Sequence, residues 1–497
     1  MSKAPMSDLL THPLWQADSL GSPLPDNEFG VSVSLPLWQH VIGYEEGDVA
    51  VTSTFRSGYP RFFVPPAIEK LFAAAEQRFA GKDERCLVFP RAVHAQRCLD
   101  FAKCGGRVEA FGDEALGVAV FPADAYATAR KYWRFAGEVV SCRQANHALG
   151  TGPCVSLEEG RAASKVLRER LAGLSGQQAQ DVFLFPSGMA ASFAVHRMLI
   201  ALFPGRKTVQ LDFPYVDVLK LQQMFGTGAH FFPLVRETEY DELQALLTRE
   251  PIAGIFSEVP TNPLLRCVDY ARLKALLASA QADVPLVIDD TIGTVANVDV
   301  FRVADVVTTS LTKSFSGAGD VLAGSVILNQ ASKHHAAFSA FLSEHADNDL
   351  FAGDAIALEK SSRDFTERAA IASRNSVGLY EYLSQHPKVA RVWHSINEGG
   401  PGFKLLQRDN GGHSCMFSMT LKDPQSAPAF YDALAVCKGP SLGTNFTLVC
   451  PYTQLAHYGE LDWAESCGVD RNLIRVSTGL EPLGDLVSRF ERALAAS

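Results

Sequence analysis

Apolar positions along this chain alternate between two periods. Short, nearly unbroken apolar runs of strand length occupy 182–185, 208–211, 254–256, 286–288, 305–308 and 324–328. Longer stretches with apolar residues at helical spacing lie between several of them, at 189–202, 215–225, 240–249 and 270–280. Such alternation predicts an α/β fold with a mostly parallel central sheet covered by helices on both faces. A smaller pattern precedes it, with strands at 86–90, 108–111 and 117–121 and helices at 92–102 and 123–135. After the main block, a helical stretch at 364–385 leads into a last α/β block, 388–497, with strands at 414–421 and 473–477. Residues 1–60 are rich in Pro and Gly and weakly periodic, and read as an arm lying on other structure. The expected organisation is therefore 1–136, an arm plus an extra α/β region; 137–345, a large domain; and 346–497, a small C-terminal domain.

Composition narrows the classes of function. The chain has 497 residues, too many for one compact core, and its 47% hydrophobic and 20% charged content is that of an ordinary soluble globular protein. A net charge of −10 argues against nucleic acid or an anionic membrane as partner, because both need a basic face. No run of 18 apolar residues predicts a membrane span, and the first residues lack the apolar stretch of a secretory signal. The ten cysteines include no CxxC pair, so zinc spacing is missing and no metal is expected. They read as reduced thiols of a cytoplasmic protein.

Candidate chemistry gathers where the predicted strands end. Lys313 follows the 305–308 strand, and Asp289 follows 286–288, 24 residues upstream. In an open α/β sheet, ligands bind at the carboxyl ends of the strands. A lysine amine that can form a Schiff base, with an acid that keeps a pyridine nitrogen protonated, is what pyridoxal phosphate needs. The turn Phe185-Pro186-Ser187-Gly188-Met189 opens a helix, whose free N–H groups form an anion site that Gly lets a phosphate approach. Taken alone, it reads more simply as an N-cap by Ser187. Ser310 and Thr312 flank Lys313 with two hydroxyls. Asn262, in Pro260-Thr261-Asn262-Pro263, offers a hydrogen bond to a cofactor oxygen or merely a turn. Tyr215 offers a ring to stack, or a core aromatic. Arg475 sits inside the apolar run Leu473-Ile474-Arg475-Val476, where burial demands an anion: a substrate carboxylate or an internal acid.

Together these residues fall in the order of a fold type I pyridoxal phosphate enzyme. The chain resembles the Cys/Met-metabolism pyridoxal phosphate enzymes, and among them the fungal-type cystathionine γ-synthases. The resemblance is carried by Ser34-Leu-Pro-Leu-Trp38, Val41-Ile-Gly-Tyr-Glu-Glu-Gly47, Gly58-Tyr-Pro-Arg-Phe-Phe63, the lysine loop Ser310–Gly317, and the stretch from Pro451 to Ser466. It implies a fold type I transferase whose residues 137–345 bind the cofactor. Lys313 is then the Schiff-base lysine and, with Tyr215 stacked on the ring, the catalytic pair. Asp289 is the pyridinium partner, Asn262 meets the phenolate oxygen, and Gly188, Met189, Ser310 and Thr312 hold the phosphate. Arg475 and the Ser441 turn hold the amino acid carboxylate.

Two departures stand out. The family lends a Tyr-x-Arg pair to the neighbouring subunit's phosphate. Here Arg143, in Ser141-Cys142-Arg143, is the expected counterpart, although Tyr59-Pro60-Arg61 has the matching letters 128 residues before Ser187. Asp320 and Ala323 replace the family's usual asparagine and glycine beside the lysine loop. The resemblance implies γ-replacement on an O-acylhomoserine by cysteine to give cystathionine, acting on small amino acid substrates in a homo-oligomer, a dimer of dimers. The alternatives are γ-substitution by another nucleophile, a γ-lyase, and, more remotely, a cofactor-binding protein without turnover.

Overall fold

A computed structural model describes residues 8–113, 115–345 and 350–497. Residues 1–7 of the expected arm and residue 346, where the expected last domain begins, lie outside the described residues. Among the described residues no helix is long and apolar enough to cross a membrane.

The described residues build three principal sheets and one short ladder. The ladder pairs β1 (Pro23–Leu24) with β2 (Ser32–Val33) antiparallel, inside the arm. The arm is more structured than its sequence implies, since it also carries the helix Trp38–Glu45. The next sheet is antiparallel, in the order β3 (Glu84–Phe89), β5 (Leu116–Pro122), β4 (Arg107–Phe111). The large sheet contains β6 (Val182–Phe185), β7 (Lys207–Leu211), β8 (Ala229–Phe232), β9 (Ile252–Glu258), β10 (Leu286–Asp289), β11 (Val306–Thr309) and β12 (Gly324–Leu328), in the order β6-β12-β11-β10-β9-β7-β8. Its strands are parallel except β12, which runs against both β6 and β11. The last sheet orders β13 (Val389–Trp393), β14 (Met416–Leu421), β17 (Ile474–Ser477), β16 (Leu448–Pro451) and β15 (Cys437–Lys438).

The helix Gly188–Leu202 explains how the N-terminal sheet is attached. It buries residues on every side, including Met189, Phe193, Val195 and Met198. One side packs on the large sheet, and the other meets the N-terminal region, so Leu87, Phe89, Val118 and Trp133 share a single apolar cluster with Phe193 and Val326. The Tyr132 and Phe193 rings lie 5.9 Å apart and edge-on. A helix that is apolar all round needs cover on both sides, and the extra region supplies the second.

The arm crosses to the last sheet. Leu35 N donates to Lys438 O at 2.9 Å, and Lys438 Nζ donates to the carbonyls of Pro36 and Asp432, each at 2.9 Å. The Lys438 side chain is fully buried, and burial pulls its ammonium down to about 7. Farther along, Val31 N donates to Gly319 O at 2.9 Å, which brings the arm beside the lysine loop.

Candidate active site

Lys313 lies just past β11, and Asp289 is the last residue of the neighbouring β10. The amine of Lys313 donates to Ser441 Oγ at 2.7 Å and stands 5.2 Å from the centre of the Tyr59 ring. Burial first, and then the cations Arg475 and Arg61, pull its ammonium down to about 7. A lysine held there exchanges a proton readily at neutral pH, as a base must.

Ser441 couples this amine to Arg475. Its carbonyl accepts from Arg475 Nη2 at 2.7 Å while its hydroxyl accepts from Lys313, and it adopts a left-handed φ of 90° to present both. Arg475 is buried in β17, with Nη1 3.2 Å from Asn262 Oδ1 and its guanidinium 5.0 Å from the centre of the Tyr452 ring. All of these are neutral acceptors, so the buried cation keeps an unbalanced charge suited to a carboxylate.

Asn262 also donates to Tyr452 OH at 3.3 Å. Its backbone N–H and that of Tyr215 both donate to Glu258, at 3.0 and 2.6 Å. Glu258 thus ties the Asn262 turn to the Tyr215 turn. It stands opposite Asp289 across the parallel β9–β10 pair. Burial, and then Asp289, push the Glu258 carboxyl well above the usual carboxylate range; burial pushes Asp289 up as well. Among the described residues no basic side chain pairs with Asp289, which takes the Thr291 N–H at 2.8 Å and the Thr291 hydroxyl. A protonated ring nitrogen opposite it would reverse that upward shift.

The anion end is built from the start of the helix Gly188–Leu202. Ser187 caps it, accepting from Ala190 N at 3.1 Å and donating to Gly137 O at 2.7 Å. That leaves the Gly188 and Met189 N–H groups without intrahelical partners. A Cβ on Gly188 would lie 2.7 Å from Ser310 Cβ, so only glycine lets the helix start meet the Ser310 loop. The Thr312 hydroxyl is engaged by the Ala323 backbone N–H at 3.0 Å. Beside this cradle, Arg61 donates to Asp217 Oδ2 at 2.7 Å, to Arg134 O at 2.6 Å and to the Tyr215 hydroxyl. The Arg61 Nε is a buried donor with no acceptor. A lysine amine, a buried acid, an anion cradle closed to any Cβ and an orphaned cationic donor together fit pyridoxal phosphate.

Lys313, Asp289, Asn262, Tyr215, Ser310, Thr312, Gly188, Met189, Arg475 and Ser441 are therefore drawn into one region. Arg143 is not. Its guanidinium is bound to the Asp320 carbonyl, to Asp320 Oδ2 at 2.9 Å and to Asp354 Oδ1 at 3.3 Å, and it stacks 4.3 Å from the centre of the Phe29 ring. Two acids hold its terminal nitrogens within this chain. Sequence reasoning passed over Glu258 and Tyr452, and rated Arg61 below Arg143. The signal for Glu258 was present: a carboxylate ending β9 lies level with Asp289 in the neighbouring strand.

Comparison with known proteins identifies the family. The family model described as Cys/Met metabolism PLP-dependent enzyme matches residues 159–495. The chain belongs to that family. It is a pyridoxal-phosphate-dependent enzyme of fold type I. A second model, the N-terminal domain of fungal trans-sulfuration enzymes, matches residues 67–141, which contain the extra sheet. Similar relatives include a cystathionine gamma-synthase-like enzyme of Amanita muscaria, 32% identical over 97% of this chain and 98% of its own. The cystathionine gamma-synthase of Neurospora crassa is 31% identical over 96% of this chain and 98% of its own. Among solved structures, the Xanthomonas oryzae cystathionine gamma synthase in complex with aminoacrylate and cysteine superposes with a TM-score of 0.59 at 23% identity, over 68% of this chain and 86% of that one. That last likeness speaks to the fold alone.

Proposed function

We propose that the protein catalyses γ-replacement on an O-acylhomoserine, with L-cysteine as incoming nucleophile and L-cystathionine as product. The observation that carries this reading is the convergence of Lys313, Asp289 and Arg475 in a chain whose fungal cystathionine gamma-synthase relative aligns over 96% of it. Arg475 grips the substrate carboxylate, aided by the Ser441 turn. Tyr215 would cover the cofactor ring, Asn262 would meet its phenolate oxygen, and Asp289 would face its nitrogen. Gly188, Met189, Ser310 and Thr312 would hold its phosphate. When bound, the cofactor supplies an electron sink for charge developing on the substrate. Lys313 Nζ removes the α proton and then a β proton, since it is the one amine in this pocket with a neutral form at pH 7. The acyloxy group then leaves the γ carbon as a carboxylate, and the cysteine thiolate bonds there.

Support for a second reading comes from relatives with other activities, an alanine racemase of Aspergillus violaceofuscus at 30% identity and a dechlorinase/desaturase of Streptantibioticus cattleyicolor at 31%. A different nucleophile, or γ-elimination, uses the same lysine. One incubation separates the readings. Purified protein is given O-acetyl- or O-succinylhomoserine with and without cysteine. Cystathionine that forms only with cysteine is the expected result. Release of 2-oxobutyrate in both tubes identifies a γ-lyase, and neither product points to another nucleophile. The same reading puts the protein in the cytoplasm, as a dimer of dimers with its chain divided at 136/137 and 345/346. The ten free cysteines support a reducing compartment, and the three principal sheets support the threefold division of the chain.

A further inference from the structure

Arg368 lies near the start of the helix Phe365–Ser384, with its side chain only 8% exposed. A guanidinium carries five N–H donors, and Arg368 uses all of them. Nε donates to Asp364 Oδ1 at 2.7 Å. Nη1 donates to Ser314 O at 3.1 Å and to Asn445 Oδ1 at 3.2 Å. Nη2 donates to Phe315 O at 3.0 Å and to Ser361 O at 2.8 Å. Of these acceptors only Asp364 carries a charge, and it is largely exposed. The buried cation is therefore spent on the protein's own oxygens and holds no donor in reserve for a ligand.

Its partners belong to the two loops that carry the site. Ser314 and Phe315 directly follow Lys313, and Asn445 lies shortly past Ser441. The two loops also meet each other. Asn445 N donates to Gly317 O at 2.7 Å, and Gly317 N donates to Lys313 O at 2.8 Å. Gly317 has a left-handed φ of 65°, and a Cβ there would collide with Arg368 Nη1 and Asn445 Oδ1. A Cβ on Gly443 would lie 2.5 Å from the Ser314 nitrogen. Both close approaches need glycine. A small cavity lined by Ser314, Arg368, Cys415, Gly443, Asn445 and Thr478 adjoins the same loops. A loop beside a void gains little from packing on that side, so its place depends on hydrogen bonds.

We infer that Arg368 is a positioning residue for the catalytic lysine. It clamps the loop after Lys313 to the loop after Ser441, and so sets where the amine can reach. The inference rests on the pyridoxal phosphate reading, in which Lys313 Nζ both bonds to the cofactor and moves protons. It deepens that reading by naming what holds the base in place. The effect runs through the backbone, since the cations that face the Lys313 amine are Arg475 and Arg61. Arg475 takes its own place from β17, level with Ser418 and Cys450 in the neighbouring strands. Releasing the clamp therefore harms proton transfer more than the grip on the substrate carboxylate.

Arg368→Lys tests this in the full-length protein. It keeps the charge but gathers its donors on one nitrogen, which cannot span both loops. In the cofactor-free protein, hydrogen exchange read by mass spectrometry follows the Ser316 and Gly317 amides, which bond to Leu311 O and Lys313 O. Their exchange should quicken about tenfold or more, while the amides of β11 and β17 keep wild-type rates. On adding pyridoxal phosphate, the visible band should appear more slowly, and its circular dichroism should weaken. In whichever reaction the wild type performs on an O-acylhomoserine, kcat should fall about tenfold to a hundredfold, with KM within about threefold of wild type. Wild-type exchange in the loop overturns the inference. So does exchange that quickens equally in all strands, which marks a merely structural role, and so does a raised KM with unchanged kcat. If circular dichroism shows Arg368→Lys unfolded, Asn445→Ala is read in its place, since it removes one acceptor and leaves the arginine. Loop exchange and kcat equal to wild type in that variant overturn the inference as well. A wild-type protein that gains no visible band sinks the cofactor reading itself. A coloured wild type with an unaffected Arg368→Lys sinks only the positioning role.

Discussion

Burial pulls the Lys313 ammonium down to about 7, against 10.5 for the free side chain. The sign of the linkage follows from that direction. Between pH 7 and 10 the unfolded chain still binds this proton while the folded chain does not, so the contribution to stability rises with pH and is lost below 7. Lys313→Met removes the titration and keeps similar bulk. Relative to that variant, the cofactor-free wild type should gain about 2 kcal/mol between pH 7 and 9 in urea unfolding. A constant difference between the two proteins across that range would mean the amine is not desolvated. At this scale much of the site was readable. Lysine, aspartate and arginine in apolar surroundings declare themselves, because a charge beside Leu, Val and Ile needs a partner. Arg61 and Glu258 declare themselves far less. Arg61 sits in a Pro- and aromatic-rich stretch with no periodicity, and its partners Tyr215 and Asp217 lie more than 150 residues away.

Among the elements, the helix Gly188–Leu202 does two things at once. Its first turn forms the anion cradle, and its body joins two sheets. Gly188→Ala separates these roles. A methyl there meets Ser310 Cβ at 2.7 Å, so the Ser310 loop must retreat, while the helix body loses nothing by gaining an alanine. Cofactor affinity should fall at least tenfold in an absorbance titration, with the circular dichroism spectrum unchanged. Affinity equal to wild type would move the phosphate away from this turn. The strands of the large sheet were legible because both faces are covered and their apolar runs are short and unbroken, as in β6 and β12. The strand β8 was not legible. It is an edge strand of four residues, and only Phe232 is fully buried. The helices Pro66–Phe79 and Leu157–Ser175 also escaped notice. Leu157–Ser175 buries a thin stripe, Ala163, Leu167 and Leu171, inside a largely charged sequence. The period of 3.6 survives there, but little apolar mass marks it.

For the molecule as a whole, charge is used to hold regions together as well as to bind. Arg143 links Asp320, beside the lysine loop, to Asp354, on the helix Ala352–Ser361. Arg143→Ala leaves Asp354 buried without its cation, and should lower unfolding free energy by about 2 kcal/mol. Cofactor affinity measured in the same preparation should stay within about twofold of wild type. An affinity loss as large as that expected of Gly188→Ala would return Arg143 to the phosphate. The departure Asp320, visible in the sequence, thus has a structural partner that the sequence could not name.

The arm is fastened by bonds between residues very far apart: Pro36 O accepts from Lys438 Nζ across 402 positions, and the Ser32 hydroxyl donates to Pro440 O across 408. On the ribosome, the stretch Ser32–Pro36 emerges long before its anchors at Lys438 and Pro440. Those bonds must therefore wait until most of the polypeptide has been made. Tyr59 and Arg61 need not wait, because Trp133, Arg134, Tyr215 and Asp217 emerge earlier. A nascent chain stalled before Lys438 has every cradle residue up to Thr312 and the lysine itself, but no fastening for the arm at Lys438. The bonds of Ser32 and Pro36 to the last sheet should therefore form late, after the cofactor cradle itself has been made.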